Sequence, residues 1–254
     1  MRNLFFKILK IAVILVGFFM IYLPIFTIFK LSFGLSTEEL SFNGYAMLFH
    51  NSILLESAQR SFIIALGAST LATILGTTVA VALERTQFRG RKIIEIFLMI
   101  PFILPEMVLG LALLIWFAVI QLSLGWISMI LAHTTFGLSY VVFIVRARLK
   151  DFDRSLEEAA RDLGASSWIV FTRITLPLIF PGIASGFFLS FILSFDDFII
   201  SFFTAGVGTD TLPLKIYSLM RRGFDSQIYA LSSLLLLMTM IGLVVGTRVV
   251  KKVF

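Results

Sequence analysis

The chain has 254 residues, of which 59% are hydrophobic and only 14% charged, and its formal net charge is +6. Soluble domains contain about 25% charged residues, so these charges are too few to cover a soluble surface. The composition therefore excludes a soluble enzyme and a disordered chain, and it indicates a membrane protein. The chain contains no cysteine, which excludes disulfides and thiolate metal sites.

Six apolar segments are long enough to cross a bilayer as helices, which takes about 20 residues each. The first follows three basic residues and lacks an A-x-A cleavage site, so we interpret it as an uncleaved span and not as a signal peptide. The third contains Pro101 and Pro105, which bend helices, just before Glu106. The predicted spans are approximately residues 8–30, 61–83, 96–121, 126–146, 180–204 and 227–248, within one transmembrane domain of residues 1–254.

The positions of Lys and Arg predict how these spans are oriented. With the N-terminus in the cytoplasm, 16 of the 21 basic residues lie on the cytoplasmic side, as the positive-inside rule requires. The sequence therefore predicts an all-α polytopic membrane protein with six transmembrane helices and both termini in the cytoplasm. The net positive charge reflects this topology and not nucleic-acid binding.

The sequence contains no G-x-x-x-x-G-K-[ST] loop and no constellation for nucleophilic or metal catalysis. We therefore expect that this chain is not an enzyme and has no nucleotide site, metal or cofactor of its own. If it pumps, another subunit supplies the energy.

Residues 150–177 form the longest polar stretch and predict short helices between the fourth and fifth spans. Ser155 and Glu158 have the spacing of a capping box at the start of the first helix. Gly164 stands where a left-handed residue ends a helix. The apolar side of this helix would consist of Leu156, Ala159, Ala160 and Leu163.

A second short helix is predicted to begin at Ser166 or Ser167, to run through Arg173 and to end before Pro177. The first helix has about eight residues, which is too short for stability alone in water. It therefore either folds back onto its own membrane domain or docks onto a cytoplasmic partner.

The spacing of Glu158-Ala159-Ala160, Gly164 and Ile174-Thr175-Leu176-Pro177 resembles the EAA loop of ABC importer permeases. We call residues 150–177 the EAA loop. The resemblance implies the type I ABC importer permease fold, in which short cytoplasmic coupling helices contact the ATP-binding subunit. The coupling residues that it implies are Glu158, Ala159, Ala160, Leu163 and Gly164.

Four further segments are similar to the spermidine/putrescine permeases, the PotC type of this family: Pro105-Glu106, 132–136, 194–197 and 212–218. This similarity implies a permease subunit in the bacterial inner membrane that imports polyamines. The implied partners are a homologous second permease, two copies of an ABC ATPase that carry ATP and Mg, and an extracytoplasmic substrate-binding protein.

Three acids, Glu106, Asp196 and Asp197, lie inside the predicted spans, where a charge costs on the order of 2.5–3.5 kcal/mol. Acids without an intramembrane Lys or Arg fit a cationic substrate, whose ammonium groups need carboxylates and aromatic faces. In a continuous helix Ser194, Asp197 and Ser201 share a stripe, and Asp196 points roughly 100° away. We therefore expect Asp197 to face the pathway, with Asp196 flanking it or pairing with the partner permease.

Alternatively, Gly186, Ser190 and Ser194 form a packing face across which Asp197 is hydrogen bonded. Glu106 either faces the pathway or is protonated beside the bent helix.

Three further residues have weaker signals. Phe102 shares a helical face with Glu106, and it is a candidate pathway residue. Tyr217, in the outer loop, contacts the substrate or a delivery protein, or belongs to a plain connection. We interpret His133, a lone histidine in a span, as a helix-to-helix hydrogen bond and not as a ligand.

Two other functions remain open from the residues. One is an ABC permease for another cationic or small organic solute. The other is an ATP-independent cation transporter in which Glu106 and Asp197 relay charge. The sequence has no evident inverted repeat of broken spans, which weakens the second alternative.

Overall fold

The computed structural model describes residues 2–34, 41–221, 223, 226–237 and 240. Within these residues the chain is helical, with no strand, because a helix satisfies its own backbone hydrogen bonds inside a bilayer. The helices are α1 (Arg2–Ser32), α2 (Asn43–His50), α3 (Ser52–Arg85), α4 (Arg91–Ile103), α5 (Glu106–Val119), α6 (Trp126–Asp151), α7 (Ser155–Asp162), α8 (Ser167–Val170), α9 (Leu176–Phe195), α10 (Ile199–Thr204), α11 (Leu212–Met220) and α12 (Ser226–Leu237).

Four stretches in the described part of the chain are long and apolar enough to cross a membrane: Leu9–Ser32, Ser52–Arg85, Trp126–Asp151 and Ser167–Phe195. Helices α4 and α5 together form a fifth candidate span. The two helices are bent by 117° relative to each other at the break that contains Pro105. The predicted sixth span, residues 227–248, lies largely outside the described residues. The six-span count and the orientation of the termini stay predictions.

The chain divides into two compact units, Glu56–Lys215 and a unit made of Met1–Leu55 with Ile216–Phe254. In the second unit, the Tyr45 hydroxyl links three helices. It lies 2.9 Å from Ser32 Oγ of α1 and 2.8 Å from Ser233 Oγ of α12. Asn51 Nδ2 also donates to Gln227 Oε1 at 3.1 Å. Polar groups thus connect α1, α2 and α12 within this unit.

The core of the Glu56–Lys215 unit lies where α3, α4, α6 and α9 meet. Small residues let α6 and α9 approach closely: a Cβ at Gly186 would lie 3.4 Å from Val141 Cα, and one at Gly137 would overlap the Ser190 side chain. This core consists of Ala72, Ala80, Leu83, Leu98, Val141, Val142, Val145, Leu149 and Ile179.

A second core joins α5, α6 and α10 through Leu109, Phe117, Ala132, Phe136 and Ile200. At its edge Ser128 Oγ of α6 donates to the Thr204 carbonyl oxygen at the end of α10, at 2.8 Å. A helix end buried in apolar surroundings needs such a partner for its last carbonyl groups. Helix α6 therefore contacts both cores and is the central element of this unit.

An ion-pair network ties the ends of α3, α4 and α6 together. Arg146 Nε lies 2.9 Å from Glu84 Oε1, and Arg146 Nη2 lies 3.0 Å from Glu95 Oε1. Arg91 Nε is 3.4 Å from the same Glu95 oxygen. The EAA loop begins four residues after Arg146, so this network holds the end of α6 from which the loop extends.

Candidate functional site

The intramembrane acids lie at two interruptions of apolar helices. Glu106 is the first residue of α5, after the bend at Pro105. Asp196 and Asp197 lie between α9, which ends at Phe195, and α10, which begins at Ile199. We call residues 196–198 the α9–α10 joint. The expectation of one continuous helix through Ser201 is wrong, because the helix is broken at this joint.

Asp197 lies inside the protein and is paired with a histidine. Its side chain is only 2% exposed, and its Oδ2 lies 3.4 Å from Nε2 of His133, whose side chain is also 2% exposed. The His133 ring also forms hydrogen bonds with Ser194 Oγ through Nδ1, at 2.6 Å, and with Ser201 Oγ through Nε2, at 3.1 Å. The predicted helix-to-helix role of His133 is confirmed.

Asp197 also accepts hydrogen bonds from the first turn of α10. The Ile200 amide donates to Oδ1 at 3.2 Å, and the Ser201 amide donates to Oδ2 at 2.7 Å. A carboxylate in this position satisfies amides that have no partner within their own helix. The chain itself therefore binds both oxygens of Asp197.

Glu106 and Asp196 are more accessible than Asp197. The Glu106 carboxyl is partly buried and lies close enough to Asp197 for the two acids to interact electrostatically. Asp196 is exposed and interacts electrostatically with Asp197. The shared stripe with Ser194 and Ser201 predicted that Asp197 faces the pathway. That stripe requires a continuous helix, and α9 ends at Phe195. At the joint it is the Asp196 side chain that lies at the surface.

The predicted aromatic residues lie in different surroundings. Phe102 belongs to α4 and Glu106 to α5, so the expected shared face is lost at the 117° bend. The Phe102 ring packs on Tyr140 instead, with ring centroids 4.6 Å apart. Tyr217 belongs to the other compact unit, where the Arg221 guanidinium lies 5.9 Å from its ring centroid.

The apolar side of α7, in the EAA loop, is exposed at the protein surface. Leu163 is 89% exposed, and Leu156, Ala159 and Glu158 are exposed as well. The buried residue of α7 is Glu157, which is only 4% exposed. Helix α7 therefore does fold back onto its own membrane domain, but it does so through Glu157, and its apolar side is left open to a partner.

Glu157 fastens α7 to two other elements. Its Oε1 lies 2.8 Å from Arg85 Nη2, at the end of α3, and accepts a hydrogen bond from Thr175 Oγ1 at 2.7 Å. Arg161, one turn later in α7, lies 3.8 Å from Oε2. A buried carboxylate needs such partners because burial removes it from water.

The ends of α7 differ in part from the prediction. Gly164 has a φ of +84°, so the left-handed helix end is confirmed. The capping box is wrong, because Ser155 is already helical and its amide donates to Asp153 Oδ1 at 3.0 Å. This hydrogen bond from Ser155 holds the pKa of Asp153 below its usual value.

The second part of the EAA loop continues directly into a span. Ser166 caps α8 by accepting a hydrogen bond from the Ile169 amide at 3.4 Å. One π-helical turn, Phe171–Thr175, then leads into α9, where Pro177 lies in the first turn. The prediction that Pro177 ends this segment is wrong, because the helix continues from the π-helical turn through Pro177 into α9. The helical path runs from Ser167 to Phe195, next to Asp196.

Comparison with known proteins identifies the family. Residues 72–254 match the family described as "binding-protein-dependent transport system inner membrane component". The chain belongs to this family.

Two curated relatives are similar to this permease along most of its length. The spermidine/putrescine transport system permease protein PotC of Haemophilus influenzae is 39% identical over 96% of this chain and 97% of the relative. The putrescine transport system permease protein PotI of Escherichia coli is 38% identical over 89% of this chain and 85% of the relative.

The permease is also similar in fold to a solved bacterial ABC transporter involved in the import of the acidic polysaccharide alginate. The TM-score is 0.74 at 17% sequence identity, over 100% of this chain and 98% of that chain. The predicted all-α ABC importer permease fold is thereby confirmed, and the permease is a multi-pass inner-membrane protein.

The sequence reasoning missed two residues that organise this permease. Glu157 was not among the predicted site residues, and His133 was not recognised as the partner of Asp197. Glu157 adjoins the EAA motif, and His133 is the one histidine within a predicted span, so both had a signal in the sequence. Their partners Arg85 and Asp197 lie 72 and 64 residues away, and helical periodicity carries no information about such pairs.

Proposed function

We propose that this permease is one subunit of an ATP-driven importer for polyamines and forms half of the translocation pathway. The observation that carries the substrate class is the similarity along nearly the whole chain to permeases named for spermidine and putrescine. The carboxylates in the apolar helices support it, since a cation leaving water needs negative partners.

The partners in this proposal are a homologous second permease, two copies of an ABC ATPase and an extracytoplasmic substrate-binding protein. The ATPase carries ATP and Mg, and this chain contributes no nucleotide site. Six spans with both termini in the cytoplasm put the EAA loop on the same side as the ATPase.

The coupling surface in this proposal consists of the exposed residues of α7 and of the residues at its C-terminal end. Glu158, Ala159 and Leu163 are exposed, Ala160 is half-buried, and Gly164 ends the helix. An exposed apolar stripe on a short helix is suited to a groove in a partner. Movement of the ATPase then pushes on α7 and, through the continuous path from Ser167 to Phe195, on the α9–α10 joint.

The pathway acids in this proposal are Glu106 and Asp196, with Asp197 behind them. Ser194 and Ser201 hold the cluster together through His133. Phe102, which is exposed, provides an aromatic face for ammonium groups. Tyr217, which is exposed in the other compact unit, is a separate candidate for contact with the substrate or its binding protein.

Reconstitution of the whole importer in vesicles tests this proposal. Spermidine and putrescine uptake should require both ATP and the binding protein, and excess unlabelled polyamine should abolish it. Uptake that continues without ATP would support the ATP-independent cation transporter instead. ATP-dependent uptake of another cation, without competition by polyamines, would support the permease for a different solute.

A further inference from the structure

The α9–α10 joint is a weak point in the membrane domain. It leaves the first amides of α10 without partners in their own helix, and unsatisfied polar groups are costly in a bilayer. Asp197 satisfies two of them, at Ile200 and Ser201. A buried carboxylate in turn needs a partner that holds it in place.

His133 contacts the helices on both sides of this joint and Asp197 within it. One ring nitrogen binds Ser194 in α9, and the other binds Ser201 in α10 and lies 3.4 Å from Asp197 in the joint itself. The ring is rigid, so its two nitrogens fix the distance between the two helices. One side chain therefore determines how α10 continues from α9.

Helix α6 supplies a fixed frame for this histidine. One turn beyond it, Gly137 packs so closely on α9 that a Cβ would overlap Ser190. One turn before it, Ser128 holds the far end of α10 through the Thr204 carbonyl. Helix α10 is thus attached to α6 at both of its ends, through Ser128 and His133, and α9 is attached at His133 and at Gly137.

We infer that His133 is a positioning residue of the cation pathway. It fixes the geometry of the α9–α10 joint, so that Asp197 stays buried and Asp196 lies at the protein surface. The inference rests on the proposed function, because it gives the joint a role in binding the cation. His133 itself does not contact the substrate.

The two amide variants of His133 test this role. Gln reaches approximately as far as Nε2, which faces Ser201 and Asp197, whereas Asn reaches only as far as Nδ1. In the reconstituted importer, H133N should raise the polyamine concentration for half-maximal uptake about 10-fold, the factor that a lost hydrogen bond to a charged group represents. H133Q should bring this concentration most of the way back to that of the unmodified importer. The maximal ATPase rate should stay unchanged in both variants.

His50 provides the matched control. It is exposed, and its Nδ1 is bonded only within its own helix among the described contacts, to the Ala46 carbonyl at 2.8 Å. Uptake by H50N and H50Q should match that of the unmodified importer. If H133N also matches it while D196N is impaired, the inference is overturned and the proposed function stands.

A second measurement does not depend on transport. The chain has no cysteine, so T204C and S69C each introduce a single reporter thiol in this subunit. Both native side chains are fully buried, and both hydroxyls bond a carbonyl of their own helix. In the H133N background a water-soluble thiol reagent, followed by mass spectrometry of this subunit, should label the T204C thiol about 10-fold faster and the S69C thiol at an unchanged rate.

The two measurements distinguish a failure of this inference from a failure of the proposed function. Unchanged labelling at position 204 overturns the fixing of the joint by His133, whatever the uptake. Faster labelling at position 204 together with normal uptake by both H133N and D196N contradicts the pathway assigned in the proposed function, and with it the positioning role. If H133N does not fold, S201A removes one of the same hydrogen bonds and should give the same pattern in both measurements.

Discussion

Arg85 and Glu157 form an ion pair between the end of α3 and the middle of α7, with Nη2 and Oε1 2.8 Å apart. The two side chains are 15% and 5% exposed, so water screens the pair little. The same Glu157 oxygen accepts the Thr175 hydroxyl, just before α9. The coupling helix is thus attached to two spans by one carboxylate.

We expect E157Q to reduce uptake and leave ATP hydrolysis running without transport. Removing one member of a buried pair leaves the other charge unpaired, which costs about 3–5 kcal/mol. The loosened α7 would then move under the ATPase without moving α3 and α9. Uptake and ATP hydrolysis measured in the same vesicles give the coupling ratio.

The reversed pair R85E/E157R should recover part of this coupling, because the ion pair is restored in the opposite direction. The control is E56Q, which breaks the exposed pair of Glu56 with Arg60 at 2.8 Å and should change neither rate. A normal coupling ratio for E157Q would show that the pair does not hold α7 during transport.

The exposed apolar side of α7 leads to a second prediction. Leu163 is 89% exposed, so L163S should leave the unfolding temperature of the isolated permease unchanged. It should weaken binding of the ATPase, because an exposed leucine that enters a groove loses its burial when replaced by serine. Co-purification of the ATPase with the permease measures this. V207S, at a fully exposed valine after α10, is the matched control, and equal ATPase yields for both variants would exclude Leu163 from the contact.

The sequence was sufficient for features that depend on local pattern. The left-handed Gly164 follows from its position after a short helical repeat, and the bend before Glu106 follows from Pro101 and Pro105. The break between α9 and α10 was not predictable in this way, because residues 196–198 contain neither glycine nor proline. His133 and the amides of α10 stabilise this break, and they depend on tertiary packing.

Burial of α7 was not predictable for a related reason. Its amphipathic pattern suggested that the apolar side is the packed side, as it is in soluble domains. In this helix the Glu157 carboxylate provides the attachment, through Arg85 and Thr175, and the apolar side remains exposed. The pattern identifies which side is apolar, but the partner that covers it is not part of this chain.

Gly164 allows backbone strain to be separated from partner contact. Gly164 and Gly90 have φ values of +84° and +93°, and a Cβ at either position would have no atom within 4 Å. Alanine in this conformation costs roughly 1–2 kcal/mol, so G164A and G90A should lower the unfolding temperature equally. Only G164A should also lower uptake, since the end of α7 lies on the proposed coupling surface. Equal uptake by the two variants would contradict that location.

Asp196 and Asp197 should respond differently to the same substitution. In D197N a neutral amide replaces a buried carboxylate that accepts two backbone amides and faces His133, so we expect a loss of about 1–3 kcal/mol in stability. D196N changes an exposed side chain with no such bonds to α10, so its unfolding temperature should remain unchanged while polyamine uptake falls. Thermal unfolding of the purified importer and uptake in vesicles measure the two effects separately. If D197N leaves the unfolding temperature unchanged, Asp197 does not stabilise the joint, and if D196N transports normally, the exposed carboxylate is not a cation ligand.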